Sequence, residues 1–109
     1  MNTQFHKGVV EMCVLALVAK EDHYGYELVS AISTRIPISE GTIYPILRRL
    51  TQEGYFETYL VESNEGPPRK YYRMTKSGRT FTTALINQWT EFTDSVDAVI
   101  QSAKQRRGV

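Results

Sequence analysis

The chain has 109 residues, 13 basic and 12 acidic, with 41% hydrophobic residues; that composition fits one globular domain and leaves too few residues for two. The single Cys excludes an internal disulfide, and no N-terminal stretch joins a basic region, an apolar core and a small-residue cleavage site, so a cytoplasmic protein is expected. The longest apolar stretch, Val9 to Ala19, is interrupted by Glu11 and falls well short of the ~20 residues that span a bilayer.

From Gly8 to Ala19 apolar residues surround nearly the whole helical circumference, the pattern of a helix buried on more than one side. A first helix is expected over about Thr3 to Ala19. After a polar break at Lys20 to His23, the run Tyr24-Gly25-Tyr26-Glu27-Leu28 opens a second helix, whose apolar positions Leu28, Val29, Ile32 and Ile36 recur every three to four residues. Pro37 is expected to end it. Ser39 then occupies an N-cap position, and Ile43, Ile46, Leu47 and Leu50 form one apolar stripe up to Gly54, a good helix stop. The third helix is therefore expected over about Glu40 to Glu53, with Pro45 inside it as a bend that costs one backbone hydrogen bond.

Two segments rich in aromatic and β-branched residues follow, Tyr55 to Val61 and Lys70 to Thr75, separated by Asn64-Glu65-Gly66-Pro67-Pro68. They predict a β-hairpin with a stiff tip, without fixing its register. Tyr71 and Tyr72 must point to opposite faces of their strand, so at least one belongs to the core. Finally Leu85, Trp89, Phe92, Val96, Val99 and Ala103 recur at heptad spacing along a segment from about Lys76 to Arg107 that lacks Pro and lacks Gly after Gly78. A long helix is expected there, and its apolar row is too long for the small body to cover alone, so a second copy of the chain is expected against it.

The net charge is only +1, but the charges are segregated: residues 41–52 carry Arg48 and Arg49 without an acid, and residues 66–90 carry Arg69, Lys70, Arg73, Lys76 and Arg79 without an acid. Either one face of the fold is positive or these charges form ordinary solvated surface. Three short helices followed by a hairpin define a mainly α fold with a small β-hairpin. The arrangement is a winged helix-turn-helix over residues 1–75, followed by a C-terminal dimerisation helix over 76–109, the two forming one compact unit. In that fold the third helix enters the major groove of DNA and the hairpin tip reaches the neighbouring backbone or minor groove. Thr42, Tyr44, Arg48 and Arg49 lie opposite the apolar stripe of the third helix, and Arg69 and Lys70 close the hairpin tip. Arg can take guanine O6 and N7 together, and hydroxyls and Lys hold phosphate. Tyr44 can be core or DNA contact, and DNA contact is the expectation here. Arg48 and Arg49, ~100° apart on a helix, cannot both meet one base step; one is expected on phosphate or on an acid such as Glu53.

The runs Tyr24-Gly25-Tyr26-Glu27-Leu28, Ser39-Glu40-Gly41-Thr42-Ile43-Tyr44-Pro45-Ile46-Leu47-Arg48-Arg49-Leu50 and Gly66-Pro67-Pro68-Arg69-Lys70-Tyr71-Tyr72-Arg73-Met74-Thr75 resemble the signature of the PadR family of bacterial transcriptional regulators, in its small subgroup with one C-terminal helix. The resemblance implies a homodimeric repressor on a palindromic operator, with the first and last helices at the dimer interface. It adds Ser39, Gly41 and Pro45 to the expected DNA-contacting set. It also implies that planar hydrophobic molecules bind between the two last helices near a Trp, the position of Trp89, with Phe92 beside it and Cys13 and Leu17 near the lining positions of the first helix. Polar and acidic groups of such pockets have no clear counterpart, because the matching stretch reads Phe92-Thr93-Asp94.

Cys13 on an apolar helix otherwise reads as a buried small hydrophobe, and Trp89 as dimer core. His6 and His23 have no companions at metal-ligand spacing, and neither a phosphate loop nor a nucleophile with a His partner is present, so no metal, cofactor or catalysis is expected. The rival reading is a winged-helix module that binds proteins without DNA.

Overall fold

A computed structural model of the protein describes residues 8–107. Its elements are α1 (Val9–Lys20), β1 (His23–Tyr24), α2 (Gly25–Ser33), α3 (Glu40–Gln52), β2 (Phe56–Val61), β3 (Arg69–Met74) and α4 (Lys76–Arg107). The expected start of the first helix at Thr3 lies outside the described residues. As the all-round apolar pattern requires, α1 is the hub: Val10, Val14, Leu15 and Val18 are buried together with Leu28 and Ile32 of α2 and Ile43, Leu47 and Leu50 of α3. Phe56, Tyr72 and Met74 close this core from the sheet.

Two expectations change. The second helix ends as regular helix at Ser33 rather than running to Ile36. Beyond Ser33 the chain tightens into a turn in which the amides of Arg35 and Ile36 both donate to the Ile32 carbonyl, because the residue before Pro37 is pushed out of the helical region. The hairpin is also not alone. β1 pairs antiparallel with β3, His23 opposite Tyr72 and Tyr24 opposite Tyr71, giving a three-stranded sheet in the order β1-β3-β2.

The register left open by the sequence runs from Phe56 opposite Met74 to Val61 opposite Arg69. Because side chains alternate, Thr58, Leu60, Lys70 and Tyr72 share the face that carries the buried Phe56 and Met74. Tyr24, Glu57, Tyr59, Arg69, Tyr71 and Arg73 share the other. On that outer face Tyr71 lies 5.4 Å from Tyr24 and 5.6 Å from Tyr59, centroid to centroid, and the guanidiniums of Arg69 and Arg73 sit over Tyr24 and Tyr59.

The end of α3 explains the turn into β2. The Tyr55 amide donates to the Leu50 carbonyl and the Gly54 amide to that of Thr51, with Gly54 at φ 83°. This is a Schellman ending, which places the glycine in a left-handed conformation. At the same end of the sheet Thr75 caps α4: its Oγ1 accepts from the Gly78 amide at 3.1 Å and its hydroxyl donates to the Gly54 carbonyl at 2.7 Å. α4 has the expected bounds. Phe81 and Leu85 pack against the core and Thr82 is buried, whereas Trp89, Phe92, Val96, Val99 and Ile100 are left exposed on the chain. Ile100 was outside the expected row, although it lies four residues after Val96.

Candidate nucleic-acid interface

Burial of Ile43, Leu47 and Leu50 fixes the rotation of α3, so the polar residues between them face outward. Ser39, Gly41, Thr42, Tyr44, Pro45, Arg48 and Arg49 are all on the surface. Ser39 precedes the helix in extended backbone, and its side chain makes no capping hydrogen bond. Tyr44 leans back onto the start of α2: a Cβ on Gly25 would come within 2.6 Å of the Tyr44 ring, so this glycine is what lets the tyrosine lie there. The ring remains 37% exposed, which makes it both a packing residue and part of the surface. Burial and the neighbouring Glu40 carboxylate raise its hydroxyl pKa, so Tyr44 stays neutral and able to donate.

Between α3 and the sheet runs an open groove of about 400 Å³, lined by Tyr44, Arg48, Thr51, Gln52, Thr58, Lys70 and Tyr72. It joins the recognition surface of α3 to the wing. Thr51 and Gln52 of α3 and Thr58 and Tyr72 of the sheet were not anticipated as part of it; for the two strand residues, alternation assigns a face only once the register is known. Burial raises the Tyr72 hydroxyl pKa, and Tyr44 pushes the same way while Arg48 opposes. The groove therefore offers two cations, Arg48 and Lys70, and neutral hydroxyl groups, the chemistry that phosphate and base edges require.

Four other cations of these stretches, Arg49, Arg69, Arg73 and Arg79, are engaged within the fold. Arg49 Nη2 lies 2.7 Å from Glu11 Oε1 on α1, and its Nη1 3.4 Å from Glu53 Oε1; the hydrogen bond that the guanidinium donates to Glu11 dominates the upward shift of its pKa. Arg73 is paired with Glu57 at 2.9 Å, and Arg79 donates to the Ala19 carbonyl at the end of α1 at 3.2 Å. Arg69 is stacked on Tyr24 on the outer face, opposite to Lys70. The second acid-free stretch is thus not one positive face. Its alternation sends Lys70 to the groove and Arg69 and Arg73 away from it.

The expected effector residues divide. Trp89 lines a shallow groove of about 270 Å³ with Gly8, Val9, Met12, Leu85 and Gln88, and its ring centroid is 6.5 Å from that of Phe92. Cys13 and Leu17 line another, of about 540 Å³, against Ala31, Ile32, Arg35 and Ile36. Met12 and Cys13 are ~100° apart on α1, so one turns to α4 and the other to α2; within one chain the four do not meet. Burial raises the Cys13 thiol pKa, which keeps it protonated and a poor nucleophile. Among the described residues no cluster of three or more His, Cys, Asp or Glu is placed to hold a metal, and no helix is long and apolar enough to cross a membrane.

Three helices on a three-stranded sheet, with a surface helix and a wing sharing one basic groove, define a winged helix-turn-helix, the class of DNA-binding transcriptional regulators. The chain belongs to the transcriptional regulator PadR-like family, whose profile matches residues 14–84. It is similar to a PadR-like transcriptional regulator of Bacillus cereus, with 36% identity, a TM-score of 0.82, and coverage of 91% of this chain and 98% of that one. A structure from Streptococcus mutans is similar at 36% identity and a TM-score of 0.80, over 85% of this chain and 87% of that one. An uncharacterised protein of Lysinibacillus sphaericus is 31% identical over 87% of this chain and 91% of its own length. Membership in a family of transcriptional regulators points to a regulator without enzymatic activity.

Proposed function

We propose that the protein is a homodimeric repressor that grips a palindromic operator, with α3 in the major groove and the β2–β3 wing on the adjacent backbone, and that a planar hydrophobic effector releases it. The observation that carries this reading is the groove itself. It gathers Arg48, Lys70 and Tyr44 from two elements, and the ion pairs among the described residues engage Arg49, Arg73 and His23 rather than Arg48 or Lys70. The division of labour follows from reach: Arg48 and Tyr44 lie on the helix that meets base edges, Lys70 on the wing that meets phosphate.

Replacing Arg48 or Tyr44 with Ala is expected to weaken the preferred duplex by roughly 1 to 3 kcal/mol and to spare random DNA, as loss of a base contact does. Lys70→Ala is expected to weaken both alike and to lower the salt slope by about one. Fluorescence-anisotropy titrations over a salt series separate the two patterns. Equal losses on every sequence for all three variants would contradict this assignment, and salt-insensitive or absent duplex binding by the wild type would favour a protein-binding module.

Release by an effector is supported by Trp89, half exposed in a mostly apolar groove beside Met12 and Leu85. A guest that fits one dimer geometry better than another shifts DNA affinity by its differential affinity for the two. Planar aromatic cations are expected to quench the fluorescence of Trp89, the only Trp, and to weaken duplex binding in parallel. A broad panel of such dyes that leaves the emission unchanged would return Trp89 to dimer packing.

A further inference from the structure

Arg48 and Arg49 are neighbours in sequence with opposite surroundings. Arg48 faces the groove beside Tyr44 and Lys70. Arg49, ~100° further round the helix, is turned to α1, where both of its terminal nitrogens already have a carboxylate: Nη2 has Glu11 and Nη1 has Glu53. The two acids hold the guanidinium fork from two elements. Glu53 closes the last turn of α3 on itself, whereas Glu11 ties α3 to the first turn of the buried hub helix. Each charge also suits its place, the carboxylate in the first turn of α1 and the cation in the last turn of α3, where the helix dipoles favour them. Glu11 is well covered, with only 20% of its side chain exposed, so its carboxylate is held by the packing around it. A phosphate approaching Arg49 would meet two carboxylates at contact distance.

We propose that Arg49 and Glu11 are positioning residues for operator recognition: within the rotation that the buried stripe of α3 fixes, their ion pair holds the pitch of α3 against α1 so that Arg48 and Tyr44 meet the base edges, and Arg49 does not itself contact the duplex. This rests on the operator-binding reading above. It takes Arg49 out of the expected DNA-contacting set and gives it a role in geometry, and it brings in Glu11, an acid that no reading of a DNA-binding surface would select.

The sign of one substitution separates the alternatives. Glu11→Gln removes a negative charge from a DNA-binding protein, so long-range electrostatics alone predicts tighter binding to a polyanion. Loss of the positioning contact predicts weaker binding to the preferred duplex. The probe is a duplex recovered by selection from random sequence, titrated with the full chain over a range of KCl concentrations. Glu11→Gln and Glu11→Asp, the latter keeping the charge but shortening its reach, are each expected to weaken that duplex roughly 3- to 30-fold, with the double variant Glu11→Gln/Arg49→Gln no weaker than the worse single one. Random duplex should be bound no more weakly than by the wild type, and the salt slope should be unchanged. Arg49→Lys should not rescue binding, because a point charge cannot bridge two carboxylates as the fork does. Thermal unfolding of the same samples should stay near wild type, since a partly exposed pair contributes little to stability.

Unchanged or tighter binding by Glu11→Gln would overturn the proposal. So would a salt slope lowered by about one in Arg49→Gln, the mark of a phosphate contact. If the wild type shows no salt-dependent duplex binding, the operator-binding reading itself fails and this one with it; only the former results fault the positioning role alone.

Discussion

The double variant Phe92→Asp/Val96→Asp should sediment as a monomer at micromolar concentration, where the wild type should sediment as a dimer. α4 has 32 residues, about 48 Å at 1.5 Å per residue, and only its first turns lie on the core. Beyond Leu85 it carries Trp89 at 40%, Phe92 at 63%, Val96 at 38% and Val99 at 70% exposure. The chain is correspondingly extended: its radius of gyration is 16.9 Å, against about 13 Å for a compact chain near this length. An apolar heptad row of this kind on a projecting helix is accounted for by a second copy of the same helix. The seam would then hold four aspartates, two from each chain, each buried without a partner at roughly 3 to 5 kcal/mol apiece, together more than the ~8 kcal/mol of a micromolar dimer. The helix itself should survive, because the substitutions are solvent-exposed in the monomer. A wild type that sediments as a monomer, or a double variant that stays dimeric, would contradict the assignment of this face.

Gly78→Ala should lower the melting temperature sharply, although replacing Gly with Ala inside a helix normally stabilises it. The sign is reversed by a close approach: a Cβ at position 78 would stand 2.2 Å from the Tyr55 carbonyl oxygen and 2.6 Å from Met74 Sδ. The thioether can swing aside, but the Tyr55 backbone is pinned, since its carbonyl accepts from the Thr75 amide at 3.0 Å. Tyr55 is further held by its ring, stacked on Phe81 at 4.4 Å. α4 would therefore have to lift off the sheet. The expected cost is about 3 kcal/mol, or roughly 10 to 20 °C in a domain near this size. A calorimetric shift below about 2 °C would show that the helix start is not as tightly seated as described.

The residues that announced themselves did so through periodicity or special backbone chemistry. The uninterrupted heptads of α4 gave its limits, Gly54 marked the end of α3, and the all-round apolar pattern of α1 marked it as the hub. β1 was missed because two residues have no period, and its strand pairing depends on β3 arriving beside it. The site was legible where helix alternation alone decides, as for Arg48 and Tyr44, and illegible where two distant elements must meet. Glu11 beside Arg49, the Tyr44 ring over Gly25, and Thr58 and Tyr72 in the groove all needed the packing of α3 against α1, α2 and the sheet. The division of Cys13 from Trp89 needed the rotation of α1, which a helix apolar on all sides does not reveal.

Selection of bound duplexes from a random pool tests the central claim most directly, because it reads DNA binding and dimer symmetry together. Two recognition helices related by a dyad must enter successive major grooves on one face of the duplex, so the recovered sequences are expected to be palindromes with half-sites ~34 Å, one helical turn, apart. Their affinity is expected to fall steeply with rising salt. A pool that yields no enriched sequence, or duplex binding indifferent to salt, would contradict it.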